Sequence, residues 1–180
     1  MINNDRFIIG TLDHWDFSDD NTGDLMRQEN LAKLIDRSSQ LGEVDLVTAD
    51  GSIDCQGDPG RQESIVADLQ LSEVVAALNI LHANGNLVEK MFTTFESESV
   101  CLLYLLSVAF KQVTMFKPVT SKEGNSEVYV IGQKMDKSDW IKQFLKDIKP
   151  FYGNFPEDKS LFDLLAIPAD FLEVVRKASN

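Results

Sequence analysis

The chain has 180 residues, enough for one domain with a hydrophobic core, and its apolar fraction of 43% is that of a soluble globular protein. Its longest greasy stretch, residues 100–110, is too short to cross a bilayer and carries Ser107, while Met1 leads into Asn3, Asn4 and Asp5 instead of a signal peptide. A formal net charge of -12 argues against a broad nucleic-acid-binding face, which would need Lys and Arg to neutralise phosphates, but leaves room for a local basic site.

Residues 6–12 (RFIIGTL) predict a short strand, and the Asp-, Asn- and Gly-rich residues 17–24 a loop. Leu31, Leu34, Ile35 and Leu41 recur at helical spacing over residues 28–41, stopped by Gly42. Residues 44–49 (VDLVTA) have the composition of a buried strand, and residues 50–61 that of a long loop. The longest helical pattern covers residues 62–83, with Ile65, Val66, Leu69, Val74, Leu78 and Leu81 on one side and Asn84-Gly85 as its stop.

A strand follows over residues 86–92 (NLVEKMF), then an apolar helix over 97–110. Residues 112–117 and 126–133 predict two strands joined by a loop at 118–125, and residues 139–148 and 162–177 predict helices on a C-terminal extension. The alternation implies an α/β fold with a mostly parallel sheet, and the closing strand pair implies an antiparallel edge. The extension, residues 135–180, is expected to pack on residues 1–134 as a small appendage. Cys55 and Cys101 form no CxxC pair and no metal spacing with His14 or His82, so they read as reduced thiols of an intracellular protein.

Open α/β sheets bind ligands at the carboxyl ends of their strands. Asp50 follows VDLVTA, Glu127 opens SEVYVIG, and Lys90 sits among apolar neighbours, where a charge needs a carboxylate partner. On this pattern alone the plainer reading is preferred: Lys90 snorkels at a strand edge, and Asp50 is a turn residue before Gly51.

The wording of the segments shifts that balance. VDLVTADGS (44–52), GNLVEKMF (85–92) and FKPVTSKEGNSEVYVIG (116–132) resemble the FtsJ-like ribose 2′-O-methyltransferases. NTGDLM (21–26) and ADGSIDCQGDPGRQE (49–63) narrow the likeness to the eukaryotic members that modify capped mRNA, nearest to those acting on the second transcribed nucleotide. The resemblance covers roughly residues 6–133 and implies a Rossmann-like methyltransferase sheet with an antiparallel last strand.

It also implies S-adenosyl-L-methionine as cofactor, capped mRNA as partner, and a nuclear or cytoplasmic protein. The family's catalytic tetrad is Lys-Asp-Lys-Glu, and three members carry over as Asp50, Lys90 and Glu127. The first lysine and the Gly-rich cofactor loop are expected upstream of this sequence, which then begins at the second strand of the fold. The chain on its own is accordingly expected to bind cofactor weakly and to be inactive.

Also by resemblance, Asp24 accepts from the adenine amine and Leu25 packs on the ring, with Asp50 near the sulfonium. Arg61 contacts RNA phosphate or ribose, and Asn125 hydrogen-bonds the target nucleotide. Without the likeness, Asp24 reads as a helix N-cap, and Lys117, Lys122, Arg61 and Asn125 as solvated loop residues. A ribose hydroxyl is a poor nucleophile at neutral pH. A desolvated lysine held by carboxylates can take up or hydrogen-bond its proton, and the rest of the catalysis is positioning, with no metal required. The rival reading is a non-catalytic RNA- or protein-binding module on the same fold.

Overall fold

The structure, a computed structural model, describes residues 6–51, 53, 62–121, 126–155 and 160–178. Six helices and four strands follow one another as α1 (Arg6–Gly10), α2 (Gln28–Gln40), β1 (Val44–Ala49), α3 (Gln62–Ile80), β2 (Leu81–Met91), α4 (Ser97–Ala109), β3 (Phe110–Phe116), β4 (Val128–Met135), α5 (Asp139–Ile148) and α6 (Ala169–Ala178) among these residues.

The sheet runs β1-β2-β4-β3. β1 and β2 are parallel, whereas β4 is antiparallel to both β2 and β3. Three strands therefore point the same way, yet two of the three ladders are antiparallel. The antiparallel member is not at the edge, as the chain order suggested. The short connection from β3 sends β4 back between β2 and β3, where it pairs on both sides.

Four local expectations are corrected. Residues 6–10 form a helix, not a strand, and none of that helix is buried. A strand needs a ladder partner for its N–H and C=O groups; here they are met locally, and Thr11 Oγ1 donates to the Phe7 carbonyl at 2.6 Å. Asn84-Gly85 does not stop α3, which ends at Ile80 and passes directly into β2. The pairing with β1 jumps from Val44–Leu81 to Leu46–Asn86, so Asn84, at φ 68°, lies in an irregular stretch of the strand. The helix expected over 162–177 is divided: a 3-10 turn at Leu164–Ala166 precedes Pro168, and α6 starts after it. Finally, Asp24 is not the N-cap of α2; that position falls to Arg27, which makes no side-chain cap.

The core lies between the sheet and one layer of helices. Val74 and Leu78 of α3, Leu102, Leu105 and Leu106 of α4, Leu87 and Met91 of β2 and Val130 of β4 are all buried in it, joined by Ile141 of α5 and Val175 of α6. Each such side chain contributes roughly 1.5–3 kcal/mol by leaving water. The C-terminal extension thus shares the core of the sheet. A second cluster joins Leu31 of α2 to Val75 and Ala76 of α3 and to Tyr152. Among the described residues no helix is long and apolar enough to cross a membrane.

Candidate active site at the carboxyl edge of the sheet

Period-two alternation decides which β2 side chains face the helices. Leu87, Glu89 and Met91 are buried, while Asn86, Val88 and Lys90 between them are partly exposed on the opposite face. Lys90 is directly opposite Tyr129 of β4, so the two share that face. β1 ends one residue before Asp50 at the same sheet edge, because Ala49 is the partner of Glu89.

Lys90 forms an ion pair with the Asp50 carboxylate, and its Nζ also donates to the Asp50 carbonyl at 3.3 Å. The two ends differ sharply in exposure: the Lys90 side chain is 11% accessible and the Asp50 side chain 68%. The lysine side chain is thus largely covered while its counter-ion faces outward, and Nζ lies 5.7 Å from the Phe92 ring centroid, within cation–π range. The Lys90 carbonyl is held too, accepting from Gln70 Nε2 of α3 at 3.1 Å.

Glu127 stands just before β4. Its Oε1 accepts the Tyr129 hydroxyl at 3.0 Å, and its carbonyl accepts Lys117 Nζ at 2.6 Å. Lys117, read from sequence as a solvated loop residue, is therefore tied to the segment that carries Glu127. The Glu127 hydrogen bond, burial, and the negative charges of Glu127 and Asp50 together push the Tyr129 phenol above its usual range. Val128 is the partner of Met91, so Glu127, just before β4, stands at the same sheet edge as Asp50, just after β1. The sequence reading missed Tyr129; its register opposite Lys90 could be known only once β4 was placed beside β2.

Asp24 and Leu25 form a turn ahead of α2. Asp24 Oδ1 accepts the Met26 N–H at 3.0 Å, and the Asp24 carbonyl accepts Asn30 Nδ2 at 2.9 Å. Leu25 is half-buried against the cluster containing Leu31 and Tyr152. The turn is clamped from the C-terminal extension: the Tyr152 hydroxyl donates to the Leu25 carbonyl at 2.6 Å and lies 3.4 Å from the Ser72 carbonyl of α3. Gly153, at φ 80°, brings its backbone so close to the Met26 carbonyl that any Cβ there would collide with it. Burial raises the Tyr152 phenol to about 12, with the charges of Asp24 and Glu73 adding to the shift.

Arg61, Asn125 and Lys122 lie outside the described residues, as does Cys55. Cys101 is a free, buried thiol whose Sγ lies 3.7 Å from the Phe162 carbonyl, and burial pushes it up. Among the described residues no group of three or more His, Cys, Asp or Glu side chains is placed to hold a metal ion.

The FtsJ-like methyltransferase family matches residues 3–135. The chain is 49% identical over 172 residues to the cap-specific mRNA (nucleoside-2′-O-)-methyltransferase 2 of Danio rerio, covering 95% of this chain and 23% of that protein. To the Drosophila melanogaster protein of the same name it is 49% identical over 179 residues, covering 96% of this chain and 25% of the relative. The chain thus spans about a quarter of the length of these relatives. It is also 31% identical over 157 residues to an inactive cap-specific mRNA (nucleoside-2′-O-)-methyltransferase 1B of Caenorhabditis briggsae, over 84% of this chain and 19% of that protein.

Proposed function

The chain belongs to the FtsJ-like methyltransferase family, and from that membership we propose that it takes part in transferring a methyl group from S-adenosylmethionine to a ribose 2′-hydroxyl of capped mRNA, at the second transcribed nucleotide. Its four strands are then part of a Rossmann-like methyltransferase sheet, and its workplace is the nucleus or cytoplasm. The observation that carries the reading is Lys90: a largely covered lysine side chain, ion-paired to Asp50, at the carboxyl edge of the sheet.

The residues present suit the cofactor. The exposed Asp50 carboxylate offers a negative charge to a sulfonium. Asp24 supplies an acceptor and Leu25 an apolar wall, both on a turn fixed by Tyr152. When bound, S-adenosylmethionine supplies an electrophilic methyl group. In its neutral amine form Lys90 would accept the 2′-hydroxyl proton as the oxygen attacks the methyl group, becoming the ammonium that Asp50 pairs with. Asp50 holds the ammonium in place, and Glu127, with Tyr129 as its hydrogen-bond partner, flanks it from β4. Arg61 and Asn125 are proposed as contacts to the RNA backbone and the target nucleotide.

The rival, a non-catalytic binding module, has one observation in its favour: the Caenorhabditis briggsae relative carries the name of an inactive protein. The Asp50–Lys90 ion pair weighs against it, since a module that only binds has no need of a lysine held among apolar neighbours at the carboxyl edge.

The test is methyl transfer to capped and uncapped RNA, using this chain and a longer protein that contains it, each with and without Lys90→Ala. The substitution is expected to cut turnover by about 10²- to 10⁴-fold while leaving cofactor affinity, read by calorimetric titration, nearly intact. Near-normal turnover in the variant would remove Lys90 from the mechanism. Equal use of uncapped RNA would overturn the cap assignment.

A further inference from the structure

The residue before Lys90 faces the other way. Glu89 is fully buried between Ala49 of β1 and Val130 of β4, under α3. Neither of its carboxylate oxygens meets an N–H or O–H donor. Its neighbour is another buried acid, Glu73 of α3, near enough to perturb it.

Two ionised carboxylates in contact away from water would suffer both repulsion and lost hydration, so such a pair keeps a proton. Burial, then the Glu73 charge, pushes Glu89 well above the carboxylate range, with Lys90 opposing. Glu73 is raised too, by burial first and then the Asp50 charge, against the Gly51 N–H, Lys90 and the bond to Glu89, which lower it. Of the two, Glu89 is the more deeply buried and lacks any N–H donor, whereas Glu73 has the Gly51 N–H.

Glu73 is used further. Its Oε1 accepts the Gly51 N–H at 2.8 Å. A Cβ on Gly51 would lie 2.6 Å from that oxygen and 3.0 Å from Leu69 Cδ2, so a side chain there would push the carboxylate aside. Gly51 directly follows Asp50, whose carboxylate and carbonyl both hold Lys90.

We propose that Glu89 and Glu73 form a one-proton acid–carboxylate pair that positions the active site from beneath the sheet. Protonated Glu89 donates to Glu73, Glu73 accepts the Gly51 amide, and the Asp50–Gly51 turn is thereby fixed against Lys90. Both are positioning residues. Their place in catalysis rests on the methyl-transfer reading above; the hydrogen-bonded pair itself does not.

The experiment uses the 180-residue chain with Glu89→Gln, which keeps a donor but no titrating proton, Glu89→Met, which keeps volume but no donor, and Glu73→Met. Infrared difference spectra at neutral pH should show the carbonyl band of a protonated carboxyl group in the parent and its loss in Glu89→Gln. Hydrogen exchange of the Gly51 amide should stay close to the parent rate in Glu89→Gln. It should speed about tenfold or more in Glu89→Met and Glu73→Met, since a charge-assisted bond is lost.

The pH dependence has a defined sign. Glu89, with Glu73 beside it and the charge of Lys90 acting from the opposite face, contributes stability that is present below the ordinary carboxylate value of 4.5 and lost as pH rises through its raised folded value. Glu89→Gln should flatten that decline. Where methyl transfer is measurable, Glu89→Met should lower kcat about tenfold with KM little changed, and Glu89→Gln should restore it. Absence of the infrared change, or equal Gly51 exchange in Glu89→Gln and Glu89→Met, would overturn the proposal even if transfer proceeds. A longer protein containing this chain that transfers no methyl group, while the chain shows both signals, would instead refute the functional reading alone.

Discussion

The two faces of the sheet are built from the same strands and do different work. On the helix-covered face Leu87, Met91 and Val130 are fully buried, and the one ionisable group among them, Glu89, is read as neutral. On the opposite face Val88, Lys90, Tyr129 and Ile131 alternate with them and stay partly exposed. One face supplies stability; the other presents charge at its carboxyl edge. Because neighbouring residues of a strand point to opposite faces, the reactive lysine sits one peptide bond from its own buried support.

The contrast sharpens into a series of substitutions. The largest effect on stability belongs to the covered face: Leu87→Ala should cost about 2–5 kcal/mol, read as a shift in denaturant midpoint with unchanged slope. A loss below about 1 kcal/mol would mean that the face is not tightly packed.

Next is the clamp from the C-terminal extension. Gly153→Ala forces a side chain into a left-handed position and against the Met26 carbonyl, and should destabilise by about 1–3 kcal/mol. Proteolysis within the 24–26 turn should rise in parallel. A stable variant with an unchanged turn would show that the extension does not hold it.

Tyr152→Phe removes the donor to the Leu25 carbonyl while keeping the ring in its cluster. The expected loss is about 1 kcal/mol by thermal unfolding. It should be accompanied by faster exchange at neighbouring amides and, in an active protein, weaker cofactor binding.

The smallest effect belongs to the open side of the molecule. Leu46 in β1 is 55% exposed, and Leu46→Ala should change stability by less than about 0.5 kcal/mol in this chain. A larger cost would show that this residue is covered in solution.

Asp50, Lys90 and Glu127 drew notice as charged residues in or beside apolar strands, but that pattern alone favoured the plainer reading, and the family resemblance gave them their roles. Their common edge was expected from sequence; the strand order behind it was not. That order depends on β4 returning between β2 and β3, which places Tyr129 opposite Lys90. Glu73 escaped notice because a glutamate in a helix is ordinarily a solvated one. Only the packing of α3 over β2 brings it to Glu89 and Gly51.

The sequence by itself determined the alternation of helices and strands, most element positions and the family, because hydrophobic period and local wording are properties of short segments. Tertiary structure decided what depends on partners far along the chain. Residues 6–10, apolar enough for a strand, became a helix without a ladder neighbour. Asn84-Gly85, a stop signal by residue type, was absorbed into β2 as an irregular stretch because β1 pairs with Leu81 before it and with Asn86 after it. Pairing and burial outweigh local preference whenever a remote segment can satisfy the backbone better than the chain can satisfy itself.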